Sequence, residues 1–320
     1  MAPIPTVPGS WPEVHDASHA GSQPGSGRRE PLRQADPEAA DDAGHDATLG
    51  STGKRGISKA LEDPGDLVVA AGGDGTIKKV ALALAGRGIP LAILPIGTAN
   101  NIAKSLGIIG SVDELIAGWR SGNRRRLAVG TVATSYGIMR FVESVGVGAF
   151  TELVTRGGQE VDENTASLTG HTIDRALLLL QRIVEERVPS SRRIEIDGVD
   201  LSGEYLLVEA MNTRLVGPNV PLAPGADYGD DQLDVVTVTQ AERRVLTEYL
   251  EARLAGGADP PLLTVRRGKR VTMRASPHEL HVDDEPWDTD PAEAEGLRRE
   301  PPGEADLSIA VGGTAVEVLT

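Results

Sequence analysis

Hydrophobic positions along the chain fall into two textures. The first is a set of short, uninterrupted apolar runs, each ending in glycine or a polar turn. Asp66 to Ala71 is such a run and leads into glycines; Ile89 to Leu94 is another. Runs of this length without alternation predict buried parallel strands. Between them Val80, Leu82, Ala83 and Leu84 form the apolar side of a predicted helix, and Ala99 to Leu106 starts a second one. Strand, helix, strand, helix predicts a parallel α/β sheet.

The second texture begins near Leu127. Strands are predicted at Leu127 to Thr134, Met139 to Val147, Arg193 to Ile196, Tyr205 to Met211, Leu233 to Val238, Leu262 to Val265, Val271 to Arg274 and Leu280 to Val282. Strands in series separated by turn residues predict an antiparallel sandwich or barrel. Two helices interrupt them. Thr172 to Val188 has Ile173, Leu177, Leu180, Val184 and Val188 at helical spacing; Glu242 to Leu254 stops at Gly256-Gly257. Asp306 to Thr320 reads as two closing strands around Gly312-Gly313.

The outline is an irregular segment over residues 1–22, an α/β domain over 23–126 and a β-sandwich over 127–320, with an exposed Pro/Glu-rich insertion at 288–303. A short helix is expected from Leu32 to Ala43.

Composition removes several classes of function. The chain has no cysteine, which excludes disulfides and thiolate chemistry. Its net charge of −15 disfavours nucleic acid as a partner. No apolar stretch approaches a membrane span, and no secretory leader is visible, so the expected location is the cytoplasm. Two basic runs stand out, Arg124-Arg125-Arg126 and Arg266-Arg267-Gly268-Lys269-Arg270. They are solvated loops or a contact with an anionic surface.

Candidate chemistry sits at the ends of the first two strands. Gly72-Gly73-Asp74-Gly75-Thr76 turns from strand into helix, where glycine permits close approach of a phosphate and the helix N–H groups face an anion. A plain glycine-rich turn is the alternative. Pro95-Ile96-Gly97-Thr98-Ala99-Asn100-Asn101 repeats the design. Thr98 and Asn100 either meet a nucleotide or cap the helix. Loops after neighbouring parallel strands share one sheet edge, where ligands bind. Gly53-Lys54 is not a Walker loop, because Thr48 stands where its first glycine is needed.

GGDGT followed by LPIGTANNIAKSLG resembles the catalytic domain of diacylglycerol kinases, sphingosine kinases and bacterial lipid kinases. The likeness extends to Asn212 to Asp234 and to His281-Val282-Asp283-Asp284-Glu285-Pro286-Trp287, which is similar to a late DGE motif. It implies a Rossmann-like nucleotide domain of the NAD kinase/diacylglycerol kinase type followed by a β-sandwich. It further implies ATP, Mg²⁺ and a lipid alcohol at a membrane surface, met by transient peripheral contact; a homodimer is a further expectation. The nucleotide site would use Gly72, Gly73, Asp74, Gly75, Thr76, Gly97, Thr98 and Asn100. Asp283 would take the hydroxyl proton, with Glu285 assisting. A structural Mg²⁺ would be held by Asp230, with Asp227 and the Gln232 carbonyl nearby. Read without the resemblance, Asp283 to Glu285 is equally an acidic hairpin turn, and Asp227 to Gln232 a solvated loop.

Four departures accompany the likeness. Gln23-Pro24-Gly25-Ser26-Gly27 carries Gln where the family has Asn. Lys78-Lys79 replaces Asn-Glu, either approaching the phosphates or lying on a solvated helix face. Asp284 replaces the glycine of DGE, and Asp231 that of the earlier DG. Strand alternation predicts that Asp283 and Glu285 share a face while Asp284 points away and is dispensable. Two other readings stand beside the lipid kinase. One is an NAD kinase, which shares GGDGT but carries a different second loop. The other is a non-catalytic nucleotide- or lipid-binding relative.

Overall fold

The computed structural model describes residues 54–62, 64–119, 122–135, 137–160, 169–257, 259–287 and 303–320. The Leu32 to Ala43 helix, the Gln23 to Gly27 loop and all of the insertion except Gly303 lie outside these residues.

After helix α1 (Lys54–Ala60), strand β1 (Val68–Gly72) and helix α2 (Asp74–Leu84) form the first strand–loop–helix unit. Ile77, Val80, Ala81 and Leu84 recur one turn apart and are buried, so α2 lies with this stripe on the sheet. Gly86, at φ 81°, reverses the chain where a side chain would be strained. Strand β2 (Leu91–Pro95) then pairs parallel to β1, in register from Val68 opposite Leu91 to Gly72 opposite Pro95. Helices α3 (Asn101–Leu106) and α4 (Val112–Gly118) complete this part.

The remainder alternates strands and helices. Strands β3 (Arg124–Thr134), β4 (Gly137–Phe141) and β5 (Ser144–Gly148) precede helices α5 (Ala149–Glu160) and α6 (Thr169–Glu186). Next come β6 (Ser190–Arg192), β7 (Ile194–Ile196), β8 (Val199–Asp200), β9 (Gly203–Tyr205), β10 (Leu207–Met211) and β11 (Leu233–Val238). Helix α7 (Arg243–Leu254), β12 (Thr264–Gly268), β13 (Arg270–Ala275), β14 (Leu280–Val282), β15 (Glu285–Pro286) and β16 (Ala305–Leu319) close the chain.

Two sheets build the core. The larger runs β1-β2-β16-β13-β7-β8, with β3 also on β16 and β4 on β3. The smaller runs β12-β11-β10-β5-β14-β15. Strand β13 alternates cleanly, with Val271, Met273 and Ala275 inward and Arg270 and Arg274 outward, because only one of its faces is covered. Strand β10 is buried throughout. Val208 and Ala210 face the sandwich interior, while Leu207 and Met211 face a layer built from α5, α6 and α7. That two-sided burial explains why apolar residues fill both faces of the strand, with Glu209 the one acid among them.

The closing segment is one strand, not the two expected from Gly312-Gly313. Its pairing with β3 slips between Val311 and Ala315, where Gly312 and Gly313 take φ of 117° and 75°. The glycines make a bulge that lets a single strand bend. Its first half pairs with β13, and Val318 pairs parallel to Leu91 of β2. Strand β3 likewise runs unbroken through Arg126 and Leu127. The helix expected to end at Val188 ends at Glu186, and Val188 is 79 % exposed. Helices α1, α4 and α5 were not anticipated from the sequence.

Candidate active site

The two glycine-bearing loops touch. A Cβ on Gly97 would lie 2.2 Å from the Gly73 Cα, so the second loop can approach the first this closely only with glycine at 97. Gly72 is equally constrained: a Cβ there would lie 2.6 Å from the Thr76 Cβ. Asn100, in the left-handed region at φ 53°, organises the second loop. Its Oδ1 accepts from Gly97 N at 3.0 Å, and its Nδ2 donates to the carbonyls of Gly97 at 2.9 Å and Pro95 at 3.2 Å. Thr98 is exposed.

The capping expected of Thr98 or Asn100 is done by Asp74 of the first loop, which accepts from Ile102 N at 2.9 Å. Burial raises the Asp74 pKa, against the Ile102 and Asn101 N–H groups that stabilise its charge. Asp74 is therefore the brace between the loops. Helix α3 is tied onward by Asn101, which donates to Gly217 O at 2.8 Å, and by Lys104, which donates to Asn219 Oδ1 at 3.0 Å.

Asp283 arrives from the other sheet. Strands β14 and β15 pair through Val282 and Glu285, leaving Asp283 and Asp284 as a two-residue hairpin turn. Asp283 adopts φ 56°, so the left-handed position is Asp283 rather than the neighbouring Asp284 that stands in place of glycine. The turn directs the buried Asp283 carboxylate onto the start of β5. Its Oδ1 accepts from the N–H groups of Val142 (3.1 Å), Glu143 (2.7 Å) and Ser144 (3.2 Å). Oδ2 is less occupied, with Val142 N at 3.2 Å and Lys78 Nζ at 4.0 Å. Burial lifts the Asp283 pKa from 3.8 to about 6, with Lys78 and these N–H groups opposing the rise.

Lys78 joins the turn to α2. Its Nζ lies 2.7 Å from Asp284 Oδ1 and 3.3 Å from Glu285 Oε2, and its side chain is only 8 % exposed. Burial works against the ammonium, but the carboxylates of Asp283, Asp284 and Glu285 outweigh it and its pKa stands above the ordinary value. Asp284 thus does not point away, as strand alternation suggested; it is in a turn, where alternation does not apply. The solvated-face reading fails for Lys78 and fits Lys79, which is exposed.

Two residues of this site were missed from the sequence. Glu143 is buried, with its Oε1 lacking a hydrogen-bond partner. Burial pushes its pKa well up, and the carboxylates of Asp74, Asp283 and Asp284 push the same way. A lone acid in the apolar run from Phe141 to Val147 was the available signal. Asn212 donates to Ala128 O at 2.9 Å and Val142 O at 2.7 Å, holding β3 and the start of β5 together. Behind the turn, His281 Nε2 lies 3.4 Å from Glu209 Oε1, and its Nδ1 lies 3.1 Å from Thr151 Oγ1, all three residues being buried.

Asp227, Asp230 and Gln232 share one loop apart from this centre. Asp227 Oδ1 accepts from Gly229 N at 3.0 Å, and Asp230 Oδ1 accepts from Gln232 N at 3.0 Å. The second Asp230 oxygen pairs with Arg267, which also lies 3.6 Å from Asp234. Asp231 takes φ 57° in place of glycine and pairs with Arg126 at 2.6 Å. Both Asp230 oxygens are engaged, and Arg267 brings positive charge to the loop. Among the described residues no three His, Asp or Glu side chains converge to hold a metal.

Comparison with known proteins agrees with this geometry. Residues 28–132 match the diacylglycerol kinase catalytic domain, and residues 163–303 match the YegS C-terminal NAD kinase beta sandwich-like domain. A probable YegS-like lipid kinase of Pseudomonas fluorescens is 30 % identical over 244 residues, covering 74 % of this chain and 76 % of that protein. The chain belongs to the family of diacylglycerol kinases and YegS-like lipid kinases. A diacylglycerol kinase of Mycobacterium tuberculosis is 25 % identical over 235 residues, covering 71 % of this chain and 72 % of its own length. A crystal structure of a putative diacylglycerol kinase from Bacillus anthracis shares the fold, with a TM-score of 0.56 and 16 % identity over 86 % of this chain and 84 % of that one. The family's class of activity is that of a kinase, a phosphotransferase. The match is to lipid kinases, and the NAD kinase alternative is set aside.

Proposed function

We propose that this lipid kinase transfers the γ-phosphate of ATP to the hydroxyl of a membrane lipid of the diacylglycerol type. One observation supports this most directly. The glycine loops and the Asp283 turn, which come from different sheets, meet closely enough for a Cβ on Gly75 to lie 3.3 Å from Asp284 Oδ2. A phosphate held by the first turn of α2 therefore faces a carboxylate suited to an acceptor hydroxyl.

In this reading Gly73 and Gly75 present backbone N–H groups to the phosphates, Gly72 gives the turn its room, Thr76, whose N–H is held by the Gly73 carbonyl, offers its hydroxyl, and Gly97 and Asn100 shape the adjoining wall. Asp74 keeps the two loops together. The acceptor oxygen bonds to the γ-phosphorus as the bond to the β-phosphate oxygen breaks, and ADP leaves. The hydroxyl proton passes to Asp283 Oδ2, which shares only the Val142 N–H, while those of Glu143 and Ser144 bond Oδ1 alone. Mg²⁺ bound with ATP would supply charge neutralisation at the phosphates; Asp284 and Glu285, about half exposed, hold Lys78.

Among the described residues no helix is long and apolar enough to cross a membrane. The lipid is then met from one side of the bilayer. Arg266, Lys269 and Arg270 are exposed, as is Leu262 at 92 %, and this stretch is the surface we assign to that contact. Each basic side chain near an anionic bilayer contributes about 1 kcal/mol. Arg267 is excluded from it, being engaged by Asp230 and Asp234. The homodimer expected from the sequence is not part of the proposal. Transfer of label from ATP to diacylglycerol in mixed micelles tests the function; absence of labelled lipid across glycerolipid and sphingoid acceptors overturns it.

A further inference from the structure

We propose that Lys78 is a catalytic residue, whose ammonium contacts the phosphoryl group in transfer, and that Asp284 is the residue that positions it. The inference rests on the kinase reading above and adds to it a cation belonging to the protein itself.

Three observations point to this role. Lys78 lies one turn into α2, and helical side chains lean toward the helix N-terminus. Its stem therefore runs back toward the glycine loop assigned to the donor phosphates. Second, the ammonium ends at the acidic turn, 2.7 Å from Asp284, 3.3 Å from Glu285 and 4.0 Å from Asp283 Oδ2. It thus comes from the helix that the glycine loop opens and ends beside the carboxylate assigned to receive the proton. Third, the turn is built to hold it there. Asp284 and Glu285 are 50 % and 54 % exposed, so they grip the ammonium from the mouth, while Lys78 itself is almost wholly enclosed.

The chemistry suits a lysine. Phosphoryl transfer is catalysed by positive charge placed on the equatorial oxygens. An ammonium offers three donors and no acceptor. With donors on Asp284 and Glu285 it retains one for a phosphoryl oxygen. A neighbouring cation also stabilises ionised Asp283, keeping that carboxylate able to accept the proton. When the hydroxyl oxygen attacks and ADP departs, the negative charge on the transferred group passes this ammonium.

The test has two arms. In the first, isothermal titration with Mg²⁺ present compares ADP with ADP plus aluminium fluoride, a mimic of the group in transfer. Lys78→Met is expected to bind ADP within about twofold of wild type and to lose on the order of tenfold or more of the added affinity for the fluoride complex. Equal effects on both ligands, or none on either, overturn the proposal. Wild type that binds no adenine nucleotide overturns the kinase reading with it.

The second arm measures kcat against pH with diacylglycerol micelles. Lys78→Met is expected to lose about 10²-fold or more in kcat with little change in KM for ATP, and Lys78→Arg to recover part of it. Asp284→Asn is expected to move the alkaline limb of kcat to lower pH, since the ammonium loses a carboxylate. Melting temperatures of the variants separate folding from chemistry. A purely structural ion pair would lower the melting temperature and leave both the kcat of the folded fraction and the alkaline limb in place; that outcome contradicts the role.

Discussion

Lys78 Nζ lies 2.7 Å from Asp284 Oδ1. In sequence these are two separate departures from the pattern the chain resembles, 206 residues apart; in the fold they are one ion pair. A double-mutant cycle of Lys78→Asn, Asp284→Gly and the pair should give a coupling of roughly 1 kcal/mol in urea unfolding, between the values for exposed and buried pairs. Lys78→Asn alone should be the more damaging single change, because it leaves Asp283, Asp284 and Glu285 without their cation. Additivity within about 0.3 kcal/mol would mean the pair contributes nothing to stability.

Gly75 is where the α2 entrance meets the acidic turn. A valine there places a branched side chain at the Asp284 carboxylate and beside the phosphate path. Overpacking of this kind costs about 1–3 kcal/mol. Gly75→Val should weaken ATP binding on the order of tenfold in an equilibrium titration; unchanged affinity would remove this loop from the nucleotide site.

Asp283 should leave a signature in stability against pH. Its folded pKa of about 6 lies above its ordinary 3.8. An acid raised in this way gives stability that is complete below 3.8 and is lost as pH rises through about 6, because the unfolded chain releases the proton more readily. Wild type should therefore lose melting temperature relative to Asp283→Asn across that window. A constant difference between the two proteins from acid to neutral pH would contradict the buried, strained carboxylate.

The loop around Asp230 predicts a response to chelation. Since Arg267 supplies the positive charge that a metal would bring, EDTA should leave the wild-type melting temperature unchanged. In Arg267→Ala the carboxylates of Asp230 and Asp234 face each other without that cation, and Mg²⁺ should raise the melting temperature. A large fall on chelating the wild type would show a bound cation in place of the arginine.

What the sequence revealed, and what it hid, follows from the range of the interactions. Strands β1 and β2, with the two glycine loops, were legible because their apolar runs and turn residues are local. The neighbourhood of Asp283 was legible through resemblance alone. Its bonds to Val142, Glu143 and Ser144 cross about 140 residues, and no local pattern encodes them. The bond from the Ile102 N–H to Asp74 was hidden because that partner belongs to the next strand–loop–helix unit. Asp284 was assigned the wrong side because alternation was extended through a two-residue turn. The closing strand was split in two because glycines signal a turn and a bulge alike.

The central claim is tested most directly by transfer of radiolabelled phosphate from ATP to diacylglycerol by wild type and Asp283→Asn, at saturating lipid and ATP with Mg²⁺. Removing a general base typically lowers the rate by about 10²–10⁴-fold. The account predicts labelled phosphatidate from wild type, a loss of that size in kcat for Asp283→Asn, and ATP affinity that is largely retained, since the glycine loops lie on other elements. Near-normal kcat in Asp283→Asn would contradict the mechanism.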